Sequence, residues 1–210
     1  MQKNLHNALT PRETRMSTHN IPLRCRCGEV RGTALDVNGG VGNRVVCYCH
    51  DCQAFARHLG RSSAILNPQG GTDIFQLPPN AVVLTNGLDK VRCLRLTSGG
   101  MHRWYTDCCQ TPIGNTLTAG WPFVGLIHSF IAAGSQPDAL LGPVRAHINT
   151  QHATGELTDA QKKAGNPPTM LLRLMYKMLM WKWQGRQKPS PFFTGKGIPL
   201  SEPKVLQVDQ

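Results

Sequence analysis

The sequence predicts a mainly β domain with short helices and a C-terminal helical extension. Gly contributes 21 and Pro 15 of the 210 residues, which indicates many turns. Short apolar or alternating runs recur between Gly, Pro and Asn residues, as in β-rich proteins. A longer apolar segment with helical spacing follows only after Gly155. The length suits one ordinary globular domain with an additional segment.

The N-terminal segment, residues 1–20, is polar and shows no apolar pattern. We expect it to be disordered, or the true start of the protein to be Met16. The segment has no apolar core of the kind found in signal peptides, and the chain has no run of 18 apolar residues. Neither a secretory signal nor a transmembrane span is therefore predicted, and we expect a cytoplasmic protein.

Seven segments between residues 29 and 149 have the composition of strands, and each is bounded by turn-forming residues. They are residues 29–37, 43–48, 81–87, 91–98, 101–105, 122–133 and 143–148. One short helix is predicted over residues 51–59, where Asp51 can cap the first turn and Gly60 can end the helix.

Two helices are predicted beyond Gly155, a short one over residues 156–165 and a long one over residues 169–185 introduced by Pro167 and Pro168. Apolar residues cover most of the long helix, which favours a helix docked on the sheet. Three basic residues are expected to form its narrow polar stripe: Arg173, Lys177 and Lys182. The alternative is a helix that docks on a membrane surface or a partner, because basic residues with Trp and Met also suit an interface.

The chain therefore divides into three predicted regions. Residues 1–20 form the extension, residues 21–155 the β domain, and residues 156–210 a C-terminal helix and tail. The tail is rich in Pro and Gly, and we expect it to wrap the surface with Phe192 and Phe193 as anchors.

Seven of the eight cysteines fall into three clusters. They are Cys25 and Cys27, then Cys47, Cys49 and Cys52, then Cys108 and Cys109. In a reducing compartment such cysteines are not expected to form disulfides. Two thiolates one or two residues apart can face one ion, and Gly28 suits the sharp turn that this requires. The spacing predicts zinc binding, and the alternative is a set of unliganded, oxidation-prone thiols.

Three segments carry a resemblance to a known family: RCRCGEVRG at residue 24, CYCHDCQ at residue 47 and HRWYTDCCQTPIGN at residue 102. A fourth segment, AAGSQPDALLGPVRAHI from residue 132, resembles the same family more weakly. In this order the segments resemble the glutathione-dependent formaldehyde-activating enzyme family, also called the centromere protein V domain family, which has the Mss4-like fold. The resemblance covers about residues 20–155 and implies a zinc-stapled β-sheet domain.

The resemblance also implies two zinc positions. A structural site is implied at Cys25, Cys27 and Cys109. A three-thiolate site, near which glutathione binds in the family, is implied at Cys47, Cys49 and Cys52. The chain departs from the family pattern where Thr106 replaces a cysteine of the late Cys-x-x-Cys. The fourth structural ligand is then Cys108 from a shifted loop, a water molecule, or nothing.

The function that follows from the resemblance is carbon–sulfur lyase-like chemistry on glutathione–aldehyde adducts of the S-hydroxymethylglutathione type. Three thiolates leave one tetrahedral position of zinc open, as in catalytic sites. Cys52 opens the short helix, whose N-terminal dipole is expected to lower the pKa of its thiol. His50 and His58 are candidates for proton transfer, and the simpler interpretation makes them surface residues.

The formal charge of +11 favours acidic partners and supports the alternative function, a non-catalytic zinc-stapled module that binds nucleic acid or another acidic partner. The basic residues are spread along the chain rather than concentrated in an arm, so the enzyme-like interpretation is preferred. Three arginines near the first cysteine cluster are expected to be exposed to solvent, and the alternative is that they bind phosphate: Arg24, Arg26 and Arg31. Trp104 and Tyr105 are expected in the core or, alternatively, in a ligand groove, and Cys93 as a buried inert thiol.

Overall fold

The computed structural model describes residues 18–134, 137–163 and 168–206. Most of the predicted N-terminal extension, residues 1–17, lies outside the described residues. The first strand begins at His19, two residues before the predicted start of the domain.

The described residues are mainly β, as the sequence predicted, with short helices and one longer helix near the C-terminus. The strands are β1 (His19–Arg24), β2 (Arg31–Val37), β3 (Asn43–Cys47), β4 (Thr72–Leu77), β5 (Val82–Asn86), β6 (Val91–Arg95), β7 (His102–Thr106), β8 (Pro112–Thr116), β9 (Val124–Ile127), β10 (Ala146–Ile148) and β11 (Lys204–Val205). The helices are α1 (His50–His58), α2 (Ser62–Ile65), α3 (Pro137–Leu141), α4 (Asp159–Lys163) and α5 (Pro168–Trp183).

The strands form two sheets. The small sheet is antiparallel and has the order β1-β2-β5. The large sheet has the order β10-β3-β4-β9-β8-β7-β6-β11. Its six central strands are antiparallel, whereas β10 and β11 add to the two edges in parallel with β3 and β6. The last described segment of the chain is therefore part of the large sheet.

The main core lies between the two sheets. It combines small-sheet residues such as Ile21 and Leu23 with large-sheet residues such as Trp104 and Leu126, all buried. The predicted tail anchors are confirmed, because Phe192 and Phe193 belong to this core. Their rings lie 5.1 and 5.7 Å from the Trp104 ring. The tail is thus built into the core and does more than cover the surface.

Helices α1 and α2 pack on the other face of the large sheet. Phe55 of α1 and Ile65 of α2 are buried with Leu94 of β6 and Ile127 of β9. Neighbouring residues Cys93 and Leu94 lie in different cores, because successive side chains of a strand point to opposite faces. Both faces of the large sheet are therefore covered in this region.

All seven predicted strand segments contain a strand, and four strands were missed: β1, β4, β8 and β11. Strand β8 contains Pro112, Gly114 and Asn115, which are typical of turns. It is nevertheless central in the sheet, and a Cβ at Gly114 would lie 2.7 Å from the carbonyl oxygen of Gly125 on β9. Glycine is therefore required there by the close approach of two strands.

The predicted docking of α5 on the sheet is confirmed at Met170, which is buried with Val45 of β3 and Ile74 of β4, and the basic residues lie on the side that faces the protein. Arg173 donates a 2.7 Å hydrogen bond to the Asn43 side chain, and the Lys177 ammonium donates to the carbonyl of Val41 at 2.7 Å. Only Met170, Met178 and Trp181 of the helix are buried. The basic residues face the protein because loop carbonyls at residues 40–41 lie beneath the helix and need donors.

The opposite side of α5 is exposed and apolar, and we call it the outer face of α5. It consists of Leu171, Leu172, Met175, Tyr176, Leu179 and Trp183. Trp183 is 83% exposed and Leu172 68%. Across the described residues, no helix has the length and apolar character to cross a membrane.

Candidate metal centres

The first cysteine cluster joins two turns that are distant in sequence. Cys25 and Cys27 lie in the turn after β1, and Cys108 and Cys109 lie in the turn between β7 and β8. Gly28 has a φ of +78°, a left-handed conformation that suits glycine. The fold therefore brings together the three residues implied for the structural site and Cys108, one of the candidates for its fourth ligand.

The four sulfur atoms of this cluster lie within 4.8 Å of one another. The Cys27 sulfur is 3.4 Å from that of Cys25 and 3.4 Å from that of Cys108. The Cys108 and Cys109 sulfurs are 3.9 Å apart. Four sulfurs bound tetrahedrally to zinc at about 2.3 Å are separated by about 3.8 Å. The cluster could therefore hold a metal ion with little rearrangement.

Thr106 does not take the place of a fourth sulfur. Its hydroxyl lies 3.5 Å from the Cys109 sulfur and accepts a 3.1 Å hydrogen bond from the Thr111 N–H. Of the three candidates for the fourth ligand, the geometry favours Cys108, whose sulfur joins the other three although it is adjacent to Cys109 in the chain.

One thiol of the first cluster, that of Cys109, is ionised at neutral pH even when no metal is bound. Burial opposes ionisation of Cys109, but hydrogen bonds from Thr106 and Thr111 outweigh it and lower the pKa of its thiol to about 5. Burial raises the pKa of Cys25 and of Cys108. A metal cation would favour the thiolate at all of them.

The second cluster consists of Cys47 at the end of β3, Cys49 just before α1 and Cys52 in the first turn of α1. Their sulfurs also lie within 4.8 Å of one another. In the part of the chain that the structure describes, no further Cys, His, Asp or Glu ligand atom joins this group. The cluster could hold a metal ion with three protein ligands and one open position.

The predicted cap of α1 is corrected by the structure. The N-cap residue is Cys49, whose sulfur accepts a 3.4 Å hydrogen bond from the Cys52 N–H. Asp51 lies in the first turn and accepts a 3.0 Å hydrogen bond from Arg103. Gly60, with a φ of +63°, ends the helix as predicted.

The predicted thiolate at Cys52 is also corrected. Hydrogen bonds with Cys47 and Cys49, together with burial, raise the pKa of Cys52. Hydrogen bonds from Cys49 and Cys52 instead lower the pKa of Cys47 to about 3. Hydrogen bonds among the three sulfurs therefore favour the thiolate at Cys47 and the neutral thiol at Cys52 when no metal is bound.

Strand β10 and the turn after it border the second cluster. Cys47 pairs with Ile148 of β10, and the Asn149 side chain donates a 3.5 Å hydrogen bond to the Cys47 sulfur. Gln53 of α1 donates to the carbonyl of His152 at 2.8 Å. The rings of His152 and His50 are 4.1 Å apart, so two imidazoles lie at the start of α1.

Arg103 is a site residue that the sequence analysis missed. Its side chain is 3% exposed, and it reaches from β7 to Asp51 in the first turn of α1. The guanidinium also lies 5.6 Å from the centre of the Phe55 ring. Arg103 therefore fixes the first turn of α1, which contains Cys52 and is capped by Cys49.

The other residues singled out from the sequence lie outside both cysteine clusters. Trp104 is buried and donates a 2.9 Å hydrogen bond to Thr116, which confirms core packing. Cys93 is buried as predicted, and burial raises the pKa of its thiol to about 12. Tyr105 is partly buried beside the helical layer. His58 is exposed at the end of α1.

The fold and these clusters define a class of protein: a mainly β chain with two separate cysteine clusters that could each hold a metal ion. The chain belongs to the family described as a family of unknown function, DUF6151, which it matches over residues 16–203. The match includes both clusters, α5 and the tail up to residue 203. No curated protein matches the chain.

Proposed function

We propose that both clusters bind zinc, with a structural ion in the first and a reactive ion in the second. The proposal is supported by the soft sulfur donors, which suit Zn²⁺, and by the difference in ligand number. Four cysteines close the first site, whereas three cysteines leave one position of the second open. An open position is the property that separates catalytic from structural zinc sites.

We further propose that the second site handles thiol–aldehyde adducts of the S-hydroxymethylglutathione type in the cytoplasm. This rests on the open three-cysteine site and on the resemblance to glutathione-dependent formaldehyde-activating enzymes. Bound zinc would supply a Lewis acid that favours the thiolate of a substrate. In the forward direction the sulfur of glutathione bonds to the carbonyl carbon, and the thiol proton ends on the carbonyl oxygen. The reverse reaction breaks the carbon–sulfur bond.

The residues around the second site have roles in this proposal. His50 and His152 can carry the proton between sulfur and oxygen, since both rings lie at the start of α1. Gln53 holds the two bordering segments together by donating 2.8 Å hydrogen bonds to the carbonyls of Tyr48 and His152. Asn149 holds the Cys47 sulfur in place.

The experiment that tests the function compares glutathione with S-methylglutathione, which has no thiol. Zinc-loaded protein should bind glutathione and catalyse its exchange with formaldehyde, measured by NMR line shapes, and should respond weakly to S-methylglutathione. Cys49→Ser should abolish the exchange. The matched control is Cys93→Ser, which removes a cysteine outside both clusters and should retain it.

Two results would contradict the enzyme proposal. One is an exchange rate equal to that of the solution without protein. The other is salt-dependent binding of duplex DNA without any response to glutathione, which would support the nucleic-acid module instead.

A further inference from the structure

A cavity of about 400 Å³ lies beside the first cysteine cluster. Its walls come from the end of β1, from α2, and from the segments around residues 111 and 130. The lining residues include three arginines, Arg24, Arg26 and Arg61, and no Asp or Glu. Arg31, the third member of the predicted arginine group, does not line it and instead donates to the Gly28 carbonyl.

The three arginines of this cavity have no acidic partner among the described residues. The arginines that form ion pairs among the described residues are Arg44, Arg92 and Arg103, and none of them lines the cavity. Guanidinium groups that converge without a carboxylate create a positive field in a cavity with partly apolar walls. Such a field favours an anionic ligand.

Two polar atoms of the cavity residues are buried without a hydrogen-bond partner. They are the Nε of Arg61 and the Oγ of Ser129. Buried polar atoms of proteins nearly always have a partner, so each unsatisfied atom needs a physical reason. Both atoms are donors with almost no accessible surface, so an oxygen atom of a ligand would satisfy them once the side chains turn toward the cavity.

We propose that this cavity binds a small organic oxyanion, a carboxylate or a phosphate ester. Arg61 and Ser129 hold the anionic group, and Arg24 and Arg26 provide positive charge at the exposed side. Guanidinium groups bind both kinds of oxyanion through paired hydrogen bonds. Ala64, Ile65 and Ile131 offer an apolar wall for the carbon part of the ligand. The proposal does not depend on activity at the second cluster.

Isothermal titration of the full, metal-loaded chain with succinate and with glycerol phosphate tests the site. At least one probe should bind with a stoichiometry of one, and the stronger probe identifies the anionic group. Arg61→Gln should weaken binding about tenfold and Ser129→Ala about threefold, as expected for lost hydrogen bonds to a charged group.

The matched control is Arg57→Gln, because Arg57 is exposed on α1 and does not line the cavity. This variant loses the same charge and should bind like the unmodified protein. The melting temperature of each variant shows whether it folds. The proposal is overturned if neither probe binds at millimolar concentration, or if Arg57→Gln weakens binding as much as Arg61→Gln.

A second inference concerns the outer face of α5. Six large apolar side chains on one exposed helix face form the kind of patch that marks an interaction surface. Lys182 donates to the carbonyl of Gly120, which places exposed Trp121 near the end of α5 that carries Trp183. Tryptophan is enriched where lipid headgroups meet the apolar membrane interior.

The positive charge of the segment around α5 indicates which kind of partner binds the outer face of α5. Residues 168–200 contain six Lys or Arg and no Asp or Glu. Arg173 and Lys177 face the protein, so the exposed positive charge comes from Lys182, Lys188 and Lys196. Two copies of this chain would bring like charges together, whereas an anionic bilayer attracts them. We propose that the outer face of α5 docks on the surface of an anionic membrane, parallel to the bilayer plane.

Co-sedimentation with vesicles tests this docking. The protein should bind vesicles that contain phosphatidylglycerol and bind phosphatidylcholine vesicles weakly. The double variant Leu172→Ser/Leu179→Ser should lose most of the binding. The matched control Val83→Ser/Leu88→Ser changes two exposed apolar residues elsewhere and should retain it.

Three results would overturn membrane docking. The first is an absence of vesicle binding, and the second is an equal loss in both double variants. The third is a dimer in light scattering that Leu172→Ser/Leu179→Ser dissociates, since this result would assign the face to a second copy of the chain.

Discussion

Arg103 of β7 supports the second cysteine cluster through its hydrogen bond to Asp51 in the first turn of α1. Its buried guanidinium holds Asp51 at 3.0 Å and contacts Asn115 at 3.3 Å. Asp51 lies between Cys49 and Cys52 in sequence, so its position sets the direction from which the first turn of α1 presents both sulfurs. Geometry around metal ligands commonly depends on such supporting contacts.

The first prediction follows from this contact. Arg103→Leu should weaken zinc binding at the second cluster by about tenfold, because residues that support metal ligands typically contribute this much. Competition with a chromophoric chelator measures the affinity of each site. Arg92→Leu, which breaks a more exposed ion pair with Asp107 beside the first cluster, serves as the control and should leave the affinity of the second cluster unchanged. Equal affinities in Arg103→Leu and the unmodified protein would contradict this role.

The second prediction concerns His102, which lies against Phe193 with ring centres 5.2 Å apart. Burial lowers the pKa of His102, and its Nδ1 is 2.7 Å from the Leu117 carbonyl. The unfolded chain, with a His pKa of about 6.5, then binds more protons than the folded chain at acidic pH. The free energy of unfolding should therefore fall as the pH drops below about 6.5.

His102→Gln removes this titration. Its free energy of unfolding should depend less steeply on pH between about 7 and 5 than that of the unmodified protein, although its absolute stability is lower. Urea denaturation at several pH values measures both slopes. Parallel slopes in the two proteins would show that His102 does not contribute.

At the scale of elements, the sequence did not predict which side of α5 is buried. Its sequence is apolar on nearly all sides, and the choice of buried side depends on the loop at residues 40–43 beneath it. Those loop atoms accept hydrogen bonds, so the basic residues turn inward and the outer face of α5 remains apolar. Periodicity within the helix contains no information about the carbonyl groups of a distant loop.

The third prediction distinguishes the two sides of α5. Trp181→Ala should lower the free energy of unfolding by about 3 kcal/mol, because it removes a buried aromatic side chain. Leu179→Ala, two residues earlier on the outer face of α5, should change it by less than about 0.5 kcal/mol. Chemical denaturation measures both values. A large loss in Leu179→Ala would mean that this face is buried within the protein.

The cysteine clusters show what sequence spacing can establish. Cys47, Cys49 and Cys52 lie close in the chain, so their meeting was predictable from local geometry. The joining of Cys25 and Cys27 with Cys109 followed from the family resemblance, whereas Cys108 was one of three candidates for the fourth ligand. Arg103 with Asp51 and the cavity at Arg61 were not predictable, because these contacts depend on how α1 and α2 pack on the large sheet.

At the scale of the whole molecule, the predicted domain and C-terminal region share one core. Phe192 and Phe193 are buried with Trp104 between the sheets, and β11 pairs with β6 at the edge of the large sheet. The family match over residues 16–203 includes Phe192 and Phe193 and ends just before β11. The C-terminal region is therefore a part of the fold that stabilises the β domain.

The fourth prediction tests this integration. Phe192→Ala should lower the free energy of unfolding by about 3 to 5 kcal/mol, because it leaves a cavity beside Trp104. Lys196→Ala, an exposed change in the same tail, is the control and should have little effect. A loss below about 1 kcal/mol in Phe192→Ala would indicate that the tail is separable from the core.

The measurement that tests the account most directly is the zinc content of the purified, unmodified chain and of two cysteine variants. The account predicts two zinc ions per chain, one in Cys108→Ser and one in Cys52→Ser, each variant losing the ion of its own cluster. A chain that contains no zinc and binds none when it is added, or that retains both ions in either variant, would contradict it.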